Sequence, residues 1–99
     1  MIFRFADEKL EKLYYYGTGS EQYPQGVVEA FIRRVRTIEG AADERDFRAM
    51  KSLHFEKLNS SKNQYSVRLN KSWRLILSFE KNKDGKTVVI IEINNHYGA

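Results

Sequence analysis

A chain of 99 residues has room for one hydrophobic core, so a single domain spanning residues 1–99 is expected. With 41% hydrophobic and 30% charged residues, its composition is that of a folded globular protein and excludes a disordered or fibrous one. The absence of cysteine excludes disulfides, thiolate metal sites and cysteine nucleophiles. No apolar run approaches the roughly 20 residues that cross a bilayer, so a cytoplasmic protein without membrane contact is expected. The net charge of +4 points weakly to polyanionic partners. It is unevenly spread: residues 1–50 hold 8 Lys/Arg against 9 Asp/Glu, and residues 51–99 hold 9 against 4.

In chain order, Ile2-Phe3-Arg4-Phe5 has strand character, and Asp7 is placed to cap a helix in which Leu10, Leu13 and Tyr14 keep helical spacing. Gly17-Thr18-Gly19 supplies residues that end a helix in a left-handed conformation. Tyr14, Tyr15 and Tyr16 cannot all face one core, which leaves Tyr15 or Tyr16 for the surface or for partial packing on the next helix. Pro24 fits the first turn of a second helix. Its apolar stripe is Val27, Val28, Phe31, Ile32, Val35 and Ile38, and it runs to about Gly40. Glu29, Arg33, Arg34 and Arg36 occupy the other face, read as solvated in preference to an RNA contact. Residues 41–50 suit a short third helix with Phe47 and Met50 turned inward.

Beyond Lys51 the period changes to two. Tyr65, Val67 and Leu69 alternate with Gln64, Ser66 and Arg68, and Trp73, Leu75, Leu77 and Phe79 alternate with Arg74, Ile76 and Ser78. With Asn70-Lys71-Ser72 between them, these runs predict an antiparallel hairpin, and Trp73 is read as core. A second turn at 82–85, with Asp84-Gly85 as its signal, leads to a nearly continuous apolar run from Thr87 to Ile93, as expected of a strand near the centre of a sheet. The predicted fold is α+β, with N-terminal helices packed on one face of a mostly antiparallel sheet.

No phosphate-binding glycine loop, dinucleotide fingerprint or nucleophile elbow is present. Two histidines and no cysteine make a metal centre improbable, and no cofactor is expected. What the second half offers is a set of cationic and proton-transferring groups: His54, Lys57, Arg68, Arg74, His96 and Tyr97. Metal-free RNA cleavage needs these types. A base takes the 2′-hydroxyl proton, cations stabilise the charge developing on phosphorus, and an acid protonates the departing 5′-oxygen. Histidine serves as acid or base near neutral pH, and arginine presents a permanent fork of donors to phosphate. A backbone contact by Arg68 and a cross-strand pairing are equally compatible with its place on the hairpin.

The stretch Gln64-Tyr-Ser-Val-Arg-Leu-Asn-Lys-Ser-Trp-Arg-Leu-Ile-Leu-Ser-Phe79 resembles the sheet hairpin of HigB toxins, also called plasmid maintenance killer proteins, within the RelE/ParE superfamily. Leu53-His54-x-x-Lys57-Leu58 is similar to that family's Leu-His-Pro-Leu-Lys-Gly element. The resemblance implies a compact RelE-like fold, ribosome-dependent cleavage of messenger RNA, and a cognate antitoxin, often a HigA-like helix-turn-helix protein. It implies catalytic or phosphate-binding roles for His54, Lys57 and Arg74, with His96 and Tyr97 in related roles. Arg68, Lys71 and Lys62 are read as RNA-binding. The tail departs from the pattern: many HigB chains end their last strand in Asp-Tyr-His, where this one has Asn95-His96-Tyr97. Two other functions fit the sequence. A ParE-like gyrase inhibitor would use the same scaffold, but it would leave His54, Lys57 and His96 without a task. A noncatalytic module would bind RNA or protein through the basic sheet without cutting.

Overall fold

The computed structural model describes residues 1–59, 63–83 and 85–95. Strand β1 (Ile2–Phe5) is followed by helix α1 (Glu8–Tyr16), helix α2 (Val27–Gly40) and helix α3 (Glu44–Ala49). Then come the two-residue strand β2 (Glu56–Lys57) and strands β3 (Gln64–Arg68), β4 (Arg74–Asn82) and β5 (Gly85–Asn94). The five strands form one sheet in the order β1-β5-β4-β3-β2. β1 lies parallel to β5, and every other pairing is antiparallel. The expected α+β architecture is therefore observed, and β5 has the interior position that its apolar run predicted.

Local chemistry explains the element ends. Asp7 caps α1 by accepting from the Lys9 amide at 2.6 Å, and Gly17 ends it at φ 74°, a left-handed value that suits glycine. Helix α2 begins at Val27, three residues later than Pro24 suggested. Pro24 instead closes a turn, its carbonyl accepting from the Val27 amide at 3.2 Å, and Gly26 at φ 91° leads the chain into the helix. In α3 Phe47 is fully buried as expected, whereas Met50 is 41% exposed. The helix stops at Ala49 and Met50 turns extended, so the inward step from Phe47 is not continued.

The alternation along β3 and β4 sorts side chains between two faces. Val67, Leu75, Leu77 and Phe79 join Leu10, Leu13, Val27, Phe31, Val35 and Ile38 from α1 and α2 in the hydrophobic core. Trp73 is only partly buried, packed edge-on against Tyr23 with ring centroids 5.9 Å apart. Ser66, Arg68, Arg74, Ile76 and Ser78 have the opposite parity and face away from the helices. A bulge between Ile76 and Leu77 re-sets the register against β5, where Ile76 lies opposite Glu92 and Leu77 opposite Ile90. Across β5, Arg4 of β1 forms an ion pair with Glu80 of β4 on this second face, and that pairing holds the Glu80 carboxyl below its usual range. Tyr15 and Tyr16 are 57% and 80% exposed, so of the three tyrosines only Tyr14 packs against the core.

A second aromatic group closes the core at the β2 end. Phe55 lies flat on Tyr65 at 5.2 Å with 6° between the ring planes, and Phe47 contacts both Phe55 and Phe79. Replacing Phe47 by alanine removes a fully buried ring from this group and is expected to cost about 3–5 kcal/mol, a large share of the roughly 5–15 kcal/mol that stabilises a domain of this kind. Urea unfolding should show a lowered midpoint with an unchanged slope. A loss under about 1 kcal/mol would mean that this region repacks without the ring.

Candidate functional site

His54 ends a single 3₁₀ turn (Lys51–Leu53) with its amide donating to the Lys51 carbonyl at 3.1 Å, and its backbone is left-handed at φ 46° and ψ 50°. For a residue with a Cβ that conformation costs roughly 1–2 kcal/mol. Its neighbours enforce it. Leu53 is buried at 2% exposure and Phe55 is stacked on Tyr65, so both flanking side chains are committed to the core and His54 is turned outward into solvent.

Arg74 begins β4 on the face away from the helices, and its side chain is only 9% exposed. A guanidinium at that depth requires acceptors, because an uncompensated buried charge is expensive. Ser66 Oγ accepts from Nε at 3.2 Å and from Nη2 at 2.8 Å, the His54 carbonyl accepts from Nη2 at 2.7 Å, and Glu56 Oε1 accepts from Nη2 at 3.0 Å. The register places Ser66 diagonally across from Arg74 and directly opposite Glu56, so one face of three strands converges on the cation.

Arg68 is the register partner of Arg74. Like charges directly opposite one another repel, and the two guanidinium groups diverge. Arg74 reaches towards Ser66 and Glu56, while Arg68 reaches the Asn70 carbonyl at 3.3 Å and His54 Nε2 at 3.2 Å. Arginine carries only donors, so this contact is a hydrogen bond in the tautomer that leaves Nε2 unprotonated. Behind Arg68, Arg34 Nε donates to the Arg68 carbonyl at 2.8 Å and ties α2 to the end of β3. Burial, and secondarily the charge of Arg33, pushes the Arg34 guanidinium below its ordinary value.

Of the residues singled out in the sequence, His54, Arg68 and Arg74 are therefore brought together. Lys57 adjoins Glu56 on β2 but has the opposite parity, lying across from Tyr65, and is exposed. Lys71 is exposed in the β3–β4 turn, beyond Arg68. That turn is shaped by Asn70 Oδ1, which accepts from the Ser72 and Trp73 amides at 2.9 Å each. Lys62, His96 and Tyr97 lie outside the described residues. Among the described residues, no three His, Asp or Glu side chains gather so as to hold a metal ion. Sequence reasoning missed Glu56 and Ser66, and it read Arg34 as part of a solvated face, whereas Arg34 is half-buried and held by the Arg68 carbonyl. The alternation of β3 did place Ser66 on the same face as Arg74, which was the one available signal.

A family model described as a RelE-like toxin of type II toxin–antitoxin system HigB matches residues 3–97. An uncharacterized protein of Haemophilus influenzae is 30% identical over 94 residues, covering 94% of this chain and 84% of that one. The solved structure of a YoeB/ParE toxin from Agrobacterium tumefaciens superposes with a TM-score of 0.61 over 98% of this chain and 100% of that chain. At 12% identity, that likeness is one of fold.

The strained backbone of His54 can be separated from its side chain by comparing two variants that both lack the imidazole. His54→Gly is expected to be about 1 kcal/mol more stable than His54→Ala, because only glycine adopts the left-handed conformation at little cost. Thermal melts of the two proteins check this. Equal stability, or a more stable alanine variant, would show that the turn does not impose the conformation.

Proposed function

The chain belongs to the HigB-like family of RelE-like toxins of type II toxin–antitoxin systems, and from that premise we propose that it is a metal-independent endoribonuclease that cuts messenger RNA on the ribosome. The observation that supports the proposal is that His54 lies between two guanidinium groups, its ring in contact with Arg68 and its backbone carbonyl accepting from Arg74. These are the group types that phosphodiester cleavage by an internal nucleophile requires. The 2′-oxygen bonds to phosphorus while its proton passes to a base, the bond from phosphorus to the 5′-oxygen breaks, and an acid returns a proton to that oxygen. The products are a 2′,3′-cyclic phosphate and a 5′-hydroxyl.

In this reading His54 takes part in proton transfer, and Arg68 and Arg74 supply positive charge to the phosphorane. His96 and Tyr97 complete the proposed catalytic set, Lys62 and Lys71 extend the RNA contact of Arg68, and Lys57, on the other parity of β2, would join the set only by reaching around the sheet edge. A type II toxin has an antitoxin partner, for which we propose a HigA-like helix-turn-helix protein. No helix among the described residues is long and apolar enough to cross a membrane, and action on ribosomes places the protein in the cytoplasm. Gyrase inhibition, the activity that a ParE-like reading would assign, has no use for the His54, Arg68 and Arg74 cluster.

Induced expression in bacteria of the wild type, His54→Ala and Arg74→Ala, with mapping of messenger RNA 5′ ends, tests the proposal. Growth arrest with new ends inside translated regions is expected for the wild type, with a loss of at least tenfold in both variants. His54 is exposed, so its variant should keep the wild-type fold by circular dichroism. Arrest without new ends would move the assignment to gyrase, and an absence of arrest would favour a noncatalytic binding module.

A further inference from the structure

Arg34 stands in the apolar stripe of α2. It lies three residues after Phe31 and four before Ile38, and the stripe members Val27, Ala30, Phe31, Val35 and Ile38 are each exposed by 2% or less. A half-buried cation at such a position gives up part of its hydration, and no carboxylate among the described residues pairs with it. What it gains is the Arg68 carbonyl, which accepts from Nε at 2.8 Å.

That carbonyl is one the sheet leaves over. The Leu69 amide donates to the Trp73 carbonyl across the hairpin, so the adjoining Arg68 and Arg74 form a pair without hydrogen bonds between them, and the Arg68 carbonyl points away from β4. Gln64, of the same parity, gives its carbonyl to the Leu58 amide at 2.8 Å, but the pairing with β2 ends at Glu56 opposite Ser66, two residues short of Arg68. Arg34 thus stands in for a missing strand partner at the residue whose side chain touches His54. We propose that Arg34 is a positioning residue: by fixing the backbone of Arg68 from the helix layer, it sets where the Arg68 guanidinium stands beside His54, and it acts on RNA only through Arg68. Its bearing on function rests on the reading of the His54 and Arg68 face as the RNA site, whereas the positioning itself does not.

Two substitutions separate the donor from the charge. Glutamine carries its amide nitrogen as many bonds from Cα as the arginine Nε, so Arg34→Gln keeps a donor and loses the charge, whereas Arg34→Met has the same reach and no donor. The readouts are the NMR signals of the His54 ring in the RNA-free protein, and binding at low salt of a short single-stranded RNA whose 2′-hydroxyls are methylated so that it cannot be cut. Arg34→Met is expected to shift the His54 signals as Arg68→Ala does and to weaken RNA binding about fivefold, with less than about twofold further loss when it is added to Arg68→Ala. Arg34→Gln should keep the wild-type His54 signals and bind within about twofold of the wild type. Unshifted His54 signals in Arg34→Met would overturn the inference. Binding by Arg34→Gln as weak as that of Arg34→Met would also overturn it, because the loss would then follow the charge. So would an undiminished effect of Arg34→Met in the Arg68→Ala background, which would mean that Arg34 meets RNA itself. An apolar side chain suits the stripe, so Arg34→Met should fold; if it does not, Arg34→Ala takes its place under the same criteria. If the His54 signals move as expected while neither Arg34→Met nor Arg68→Ala changes RNA binding, the positioning stands and the reading of this face as an RNA site falls.

Discussion

A guanidinium drawn into the face of a sheet has to find acceptors, and the acceptors that Arg74 finds hold three separate pieces of chain in register. Among the described residues, Ser66 belongs to β3, Glu56 to β2, and the backbone carbonyl of His54 lies in the turn between the helices and the sheet. Removing the cation would leave a buried hydroxyl and a carbonyl without their donor, and removing the acceptors would leave a buried charge, so each side of the arrangement requires the other. The left-handed turn at His54 fits the same logic. Its carbonyl points at Arg74 while its ring lies against Arg68, and the buried neighbours Leu53 and Phe55 restrict other conformations.

The division of labour between the two sheet faces follows from the two-residue period of β3 and β4. One face supplies Val67, Leu75, Leu77 and Phe79 to the core beneath α1 and α2, and the burial of those side chains provides the main driving force for folding. The other face thereby receives the polar members of the same alternation. A rigid sheet is a suitable mount for a site, because strand register fixes the spacing of its side chains more tightly than a loop would. Arg34 adds a link between the layers, reaching from α2 to the backbone of the residue that touches His54.

Much of this was legible in the sequence wherever a periodic pattern carried the information. The amphipathic stripe of α2, the Asp7 cap, the Gly17 stop and the hairpin of β3 and β4 all came from spacing and residue type. Arg74 and Arg68 were placed on the correct strands for the same reason. Met50 and the start of α2 were misplaced, because helix ends depend on local turns, such as the one closed by Pro24 and Gly26, that periodicity does not register. Glu56 and Ser66 were overlooked for a different reason. A short edge strand has too few residues to show a period, and a serine in a strand carries no mark of its partner until the register sets it diagonally across from Arg74.

On the proposed function, the face holding His54, Arg68 and Arg74 promotes attack by the RNA's own 2′-hydroxyl. The most direct measurement is single-turnover cleavage by the purified protein on programmed ribosomes, comparing an all-ribose messenger with one carrying single 2′-deoxy substitutions across the decoded codon. Cleavage of the ribose messenger to a cyclic phosphate and a 5′-hydroxyl is expected, with cutting abolished when the deoxy substitution falls on the 5′ side of the scissile bond. Undiminished cutting of every deoxy-substituted messenger, or no cutting of either messenger, would contradict cleavage by the 2′-hydroxyl at this face.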